Sequence, residues 1–179
     1  MQYRVATARD VEVIAGLHAD SWRRHYRGAL SDAFLDGDVV ADRLAVWTAR
    51  LTEPDAGRFT IVAEDDGAVV GFAHTSLDED PRWGALLDNL HVVYARKRDR
   101  IGTRLMAESA SVVLERRPSA GLYLWVLEQN TAAQAFYAAR GGACVEREVA
   151  PATGGGTTVR LRYVWPHPSA LLASNDREA

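Results

Sequence analysis

Apolar and polar positions change period several times along this chain, and each change marks a predicted element. Residues 2–6 read as a short strand. Thr7, with Asp10 three residues on, resembles a capping box and opens a helix through about Trp22. A second helical region begins at Ser31, pauses at "LDGD" and resumes with Val40, Leu44, Trp47 and Leu51 at helical spacing. "FTIVAEDDGAVVGFAHT" reads as two β-rich runs joined at Asp66-Gly67, the strongest short turn signal in the chain. The polar stretch "SLDEDPRW" predicts a loop, followed by a strand over "ALLDNLHVV" and a helix from about Arg100 to Leu114. "GLYLWVL" is almost continuously apolar, as expected of a strand covered on both faces. Asn130 to Arg140 predicts a helix stopped by Gly141-Gly142. "GACVEREV" and "TTVRLRYVW" follow as strands around the turn "PATGGG", and the chain from Pro166 onward reads as a frayed tail.

This order predicts one α/β or α+β domain over residues 1–166 built on a large mixed sheet, with 167–179 as a flexible C-terminal tail. A length of 179 residues, 47% apolar and 25% charged, suits a single globular core. The net charge of -3 argues against general nucleic-acid binding, which needs a basic domain. Cys144 is the only cysteine, so no intramolecular disulfide can form and a reducing cytosol is the expected setting. The start "MQYRVATARD" lacks the apolar core of a secretory signal, and no apolar run reaches the length of a membrane span. The expectation is a cytoplasmic protein with neither membrane nor nucleic acid as partner. The five histidines offer no pair at helical metal-binding spacing, so no metal is expected. A serine-hydrolase elbow is also absent.

The candidate chemistry lies in "HVVYARKRDRIGTRLM", where a strand turns into a helix. That turn carries Arg96, Lys97, Arg98, Arg100 and Arg104, with Asp99 as the offsetting acid. Two readings compete. A solvated helix start has this composition. So does a phosphate cradle, because a helix N-terminus leaves backbone N–H groups unpaired and carries partial positive charge. The stretch is neither a Walker A loop nor a dinucleotide fingerprint.

"NLHVVYARKRDRIGTRLM" resembles the coenzyme-A-binding segment of the GNAT superfamily of N-acetyltransferases, a pattern of the form L-x-V-x-P-x-x-[QR]-x-x-G-x-[GA]. Leu90 and Val92 fit its strand, Lys97 its [QR] position and Gly102 its final small residue. "WVLEQNTAAQAFYAARGG" resembles the second half of the family's site, with Asn130 and, seven residues later, Tyr137. The resemblance spans roughly residues 2–165. It implies a twisted, mixed, mostly antiparallel sheet of six to seven strands flanked by about four helices. It also implies acetyl-CoA as cosubstrate and a small-molecule or peptide amine as acceptor, acetylated by direct attack; a homodimer is an allowed assembly.

Carried over residue by residue, the resemblance puts the coenzyme against His91, Val92, Val93, Lys97, Arg98, Asp99, Arg100, Ile101, Gly102, Thr103, Asn130 and Tyr137. Tyr137 would protonate the departing thiolate, and a strand N–H near Val92 or Val93 would serve the oxyanion. Three departures stand out. Arg100 replaces the first motif glycine, Tyr94 replaces the proline, and Leu86 and Trp125 occupy positions where a glutamate base is common. Asp88 is then a candidate base, and Trp22 and Tyr26 candidate substrate contacts. Other roles remain open: Asn130 as a helix cap, Tyr137 as a core tyrosine, and the whole chain as a non-catalytic acyl-CoA-binding or sensing module. His18, His25 and His74 read as surface or partly buried residues, and His91 should face opposite to Leu90 and Val92.

Overall fold

The computed structural model describes residues 1–53 and 55–172. Seven strands form one sheet: β1 (Gln2–Val5), β2 (Arg58–Asp65), β3 (Ala68–Asp80), β4 (Gly84–Val92), β5 (Leu122–Leu127), β6 (Ala143–Pro151) and β7 (Thr157–Trp165). Their spatial order is β1-β2-β3-β4-β5-β7-β6. Every pairing is antiparallel except β4 with β5. Five α-helices accompany the sheet: α1 (Val11–His25), α2 (Asp32–Asp36), α3 (Val39–Thr52), α4 (Ile101–Arg116) and α5 (Thr131–Ala138). None of the described helices is long and apolar enough to cross a membrane.

Alternation along the strands divides the core. In β2, Phe59, Ile61 and Ala63 face Ile101, Leu105 and Met106 of α4, whereas Val62 packs with Val11, Ile14 and Trp47 of α1 and α3. The β2–β3 turn takes positive φ at both central residues, 49° at Asp66 and 79° at Gly67, the twist a two-residue hairpin requires. Ahead of α1, the Thr7 N–H donates to Asp10 Oδ2 at 2.8 Å, the reciprocal half of the expected capping box. Arg4 grips the same carboxylate at 2.8 and 2.9 Å and holds the Asp10 carboxyl down to about 2.

Two sequence expectations change. The polar stretch at 76–83 is mostly strand, since β3 runs to Asp80 and only three residues separate it from β4. Its charges point outward and are matched across the surface, Asp78 by Arg117 and Asp80 by Arg162. The expected tail is docked where it is described: Pro168–Leu171 forms a 3-10 turn that buries Leu171 in the core beneath α4. One leucine with an apolar slot to fill outweighs the polar sequence around it. Residues 173–179 lie outside the described residues.

Candidate active site

The two central strands part company almost at once. β4 pairs with β5 only through Ala85–Leu122 and Leu86–Tyr123, yet β4 continues to Val92 and β5 to Leu127. The register of β4 on β3 helps to open the gap. Leu87 pairs with Thr75 and Asn89 with His74, which leaves Asp88 as the extra residue of a bulge. The wedge opens into a cleft of about 580 Å³ between the N-termini of α4 and α5 and the end of α1.

Backbone donors face this wedge. The Val93 N–H is committed to the Val70 carbonyl at 2.9 Å, so Val93 is not the oxyanion donor, and its side chain lines a separate groove beside α1. Val92 pairs with Gly71 one residue earlier, and N–H directions alternate along a strand, so its N–H points to the β5 side. At the start of α4 the first helical bond is Arg104 N–H to the Arg100 carbonyl at 3.0 Å. The N–H groups of Ile101, Gly102 and Thr103 have no acceptor among the described residues, and no side chain caps this end. Arg100 adopts φ 59° and ψ 7°, and Arg98 φ 80°, so the position that resembles a motif glycine keeps the left-handed backbone with an arginine in it. Gly102 meets α5 closely: a Cβ there would lie 3.4 Å from Phe136 Cζ.

The basic cluster divides by role. Arg96 is tied to Asp65 at 2.9 Å and Asp99 at 2.5 Å, and Arg104 to Glu108 at 2.7 Å. The Arg96 pairs pin the turn to the hairpin while the Arg104 pair lies within α4, and Asp99 serves the pin and lies outside the cleft wall. Lys97 Nζ donates to His25 Nε2 at 2.9 Å. Burial, then the Lys97 charge, holds the His25 imidazole below its ordinary range, which keeps it a neutral acceptor. Arg98, Arg100, Ile101, Gly102 and Thr103 line the cleft with Lys97.

The opposite wall is α5. Asn130 accepts the Ala133 N–H on Oδ1 at 3.2 Å, so it caps the helix while its amide NH2 has no acceptor among the described residues. Phe136 and Arg140, which pattern reasoning passed over, complete this wall. The Arg140 guanidinium lies 3.5 Å above the Phe136 ring and donates to Thr103 Oγ1 at 3.0 Å, clasping α5 to α4. Their spacing of four, across the end of α5, was the available signal. Tyr137 packs among Phe136, Tyr163 and Trp165 with ring centroids 5.4–6.2 Å apart. Burial raises its phenol well above the ordinary value, with neighbouring Tyr26 adding to the rise.

On the α1 side Tyr26 lines the cleft, its phenol pushed up to about 12 by burial and then by the Asp88 charge. Trp22 does not reach the cleft; it stacks behind Tyr26 at 5.3 Å with the Arg43 guanidinium over its other side at 4.2 Å. Asp88 does line the cleft, but Arg50 Nη2 holds its carboxylate at 2.8 Å. That ion pair engages Oδ2 and anchors the carboxylate to α3. His18 and His74 are buried, contrary to the surface reading, because their rings pack with Trp47 beneath α1 and α3. His91 faces α1, away from Leu90 and Val92, which pack on the α4 core. Among the described residues no group of three potential ligands could hold a metal.

Comparison with known proteins fits this geometry. Residues 17–142 match the profile of the acetyltransferase (GNAT) family. The chain is 30% identical over 174 residues to the uncharacterized N-acetyltransferase YuaI of Bacillus subtilis (strain 168), with 94% of each covered. Two solved structures share its fold at a TM-score of 0.69. One is the PaiA N-acetyltransferase of Thermoplasma acidophilum in complex with coenzyme A, 17% identical, covering 92% of this chain and 100% of that one. The other is the ribosomal-protein-alanine N-acetyltransferase of Brucella melitensis, 20% identical, covering 92% and 99%. A splayed parallel pair, an uncapped helix start and a family profile across most of the domain converge: this chain belongs to the GNAT family of acetyltransferases.

Proposed function

We propose that the chain transfers an acetyl group from acetyl-CoA to a primary amine of a small molecule or peptide by direct attack. The observation that carries this reading is the uncapped N-terminus of α4 opening onto the β4–β5 wedge, with Tyr137 on the facing wall. The donor set suits a pyrophosphate, since unpaired N–H groups, the helix dipole and cationic side chains coincide there. Ile101, Gly102 and Thr103 would hold it through backbone, with Lys97, Arg98 and Arg100 adding charge. The Asn130 amide and the Val92 N–H would hold the pantetheine arm and the thioester oxygen.

In this reading the thioester supplies the activated acyl group, and the protein orders the proton traffic around it. The Val92 N–H is a fixed backbone donor aimed into the wedge, the kind of preorganised donor that stabilises charge developing on the acyl oxygen. Tyr137 stays protonated across the neutral range, so it can donate to the sulfur as it leaves. Asp88, ion-paired with Arg50, and Tyr26 place polar groups on the cleft wall opposite the basic turn, where an amine acceptor would enter. The PaiA complex with coenzyme A supports the cosubstrate, and the ribosomal-protein-alanine enzyme supports a peptide amine among the acceptors.

Calorimetry with coenzyme A, acetyl-CoA and acetyl-pantetheine, beside a free-thiol assay over small amines, aminoglycosides and peptide N-termini, tests the reading. Loss of the phosphates should weaken binding at least about thirtyfold, or 2 kcal/mol, whereas loss of the acetyl group should change it little. Equal affinities would return the basic turn to a solvated surface. Tight acetyl-CoA binding without thiol release on any amine would leave a sensing module.

A further inference from the structure

Leu86 and Trp125 stand at the two strand positions where a glutamate base is common, and the Asp88 carboxylate is ion-paired with Arg50. Another side chain on β4 meets the cleft as a neutral, oriented acceptor. The His91 ring lines the cleft, and its Nδ1 lies 2.8 Å from Ser21 Oγ of α1. It also packs against His18 with centroids 4.6 Å apart and against Phe72 at 5.2 Å, so the ring is held from two sides. Its Nε2 has no hydrogen-bond partner among the described residues. Unlike His18 Nε2, which is sealed from solvent with nothing to bond, His91 Nε2 remains accessible from the cleft. With Nδ1–H donating to Ser21 Oγ, the open nitrogen keeps its lone pair. An imidazole oriented by a second residue, with one free nitrogen in a cleft, has the arrangement of a general base.

We propose that His91 Nε2 accepts the proton of the attacking amine, with Ser21 as the positioning residue that fixes its tautomer. This rests on the acetyltransferase reading above. As the amine nitrogen bonds to the acyl carbon, its proton passes to Nε2; the C–S bond then breaks and the sulfur takes a proton from Tyr137. The imidazolium and the phenolate are restored through cleft water, so the net change is one proton moved from nitrogen to sulfur. The charged and titratable groups around the ring are His18 and His25 on α1, Arg43 on α3, Asp88 on its own strand and Lys97 on the turn before α4. Burial outweighs them, with Asp88 opposing it and the cations reinforcing it, and holds the ring at about 4. It is therefore neutral at pH 7, with the Nε2 lone pair unprotonated.

Two measurements decide the proposal. In imidazole 15N NMR of the parent protein, assigned by loss of the signal in His91→Gln, His91 should be neutral and protonated on Nδ1 at pH 7. Ser21→Ala should mix the two tautomers. In the free-thiol assay, with whichever amine the parent turns over fastest, His91→Gln and His91→Gly should lower kcat/KM at least about a hundredfold. Added imidazole should restore part of the rate in His91→Gly, while acetyl-CoA affinity by calorimetry stays within about threefold of the parent. A ring protonated on Nε2 or charged at pH 7 overturns the proposal, as does parental kcat/KM in His91→Gln. Loss of acetyl-CoA binding in the variants also overturns it, by making His91 a structural support. A parent that releases no thiol with any amine overturns the acetyltransferase reading itself, and the base role with it.

Discussion

Two strand-to-helix turns flank the cleft, and they are finished in opposite ways. Where β5 passes into α5, Asn130 caps the helix and Gln134 Nε2 donates back to the Glu128 carbonyl at 2.6 Å. Where β4 passes into α4, three successive N–H groups have no acceptor among the described residues and two arginines take left-handed backbone. A helix end without a cap forgoes about 1 kcal/mol, and αL geometry at a non-glycine residue costs about 1–2 kcal/mol more. The α4 turn bears both costs in one place. Stability alone does not select such a turn, whereas an anionic ligand that supplies the missing acceptors accounts for it. The capped turn instead fixes the start of α5, the helix that carries Tyr137.

The largest effect should come from the capped side. Tyr137→Phe is expected to lower kcat by about ten- to a thousandfold, with acetyl-CoA affinity unchanged by calorimetry. A shift in affinity with no change in kcat would reverse the division of labour between the two turns.

Acid probes what lies beneath them. His74 and His91 are held at about 4 by burial, against about 6.5 in the unfolded chain. Depressed folded values mean that unfolding takes up protons, so this stability is complete above about pH 6.5 and drains away as the pH falls toward 4. Between pH 7 and pH 4.5 the loss is roughly 2–2.5 kcal/mol per ring, read from denaturant midpoints at the two values. Midpoints that stay level across that window would place both rings in solvent.

A smaller effect isolates the strained arginine. Arg100→Gly and Arg100→Ala both remove the guanidinium, but only alanine keeps the αL cost. The glycine variant should be the more stable by about 1–2 kcal/mol in urea unfolding, and it should bind acetyl-CoA more tightly than the alanine variant. Equal stabilities would mean that φ at this position is not left-handed. The smallest effect separates the two uses of Asn130. Asn130→Ala should cost about 1 kcal/mol of stability together with some acetyl-CoA affinity, whereas Asn130→Asp should keep the cap and lose affinity only.

Periodicity was a good guide where one residue's burial depends on its neighbours in sequence. The Thr7–Asp10 turn, the Asp66-Gly67 hairpin and the two helical stretches around "LDGD" all follow from local pattern and local turn chemistry. It misread 76–83 because the partners that let Asp78 and Asp80 lie on a strand, Arg117 and Arg162, are far along the chain. The site divides in the same way. Asn130 and Tyr137 were visible through their spacing, and Gly102 through its motif. The left-handed backbone of Arg100 was not, since it is a property of the turn and not of arginine. His91 could be placed on its strand, but its orientation is set by Ser21 and His18, some 70 residues earlier. Asp88 looked available until Arg50 of α3 closed on it.

The brevity of the β4–β5 pairing has a mechanical consequence. Two residue pairs are all the sheet pairing between a four-stranded slab, β1 through β4, and a three-stranded one, β5 with β7 and β6. The wedge beyond is a seam without rungs, held across by the core beneath α4, the Asp80–Arg162 ion pair and the Arg140–Thr103 clasp. A molecule lying in the seam and bonding to both edges would take the place of an eighth strand and add the missing rungs. Occupancy of the cleft would then be felt as stiffness throughout the sheet, out to the exposed edge of β6.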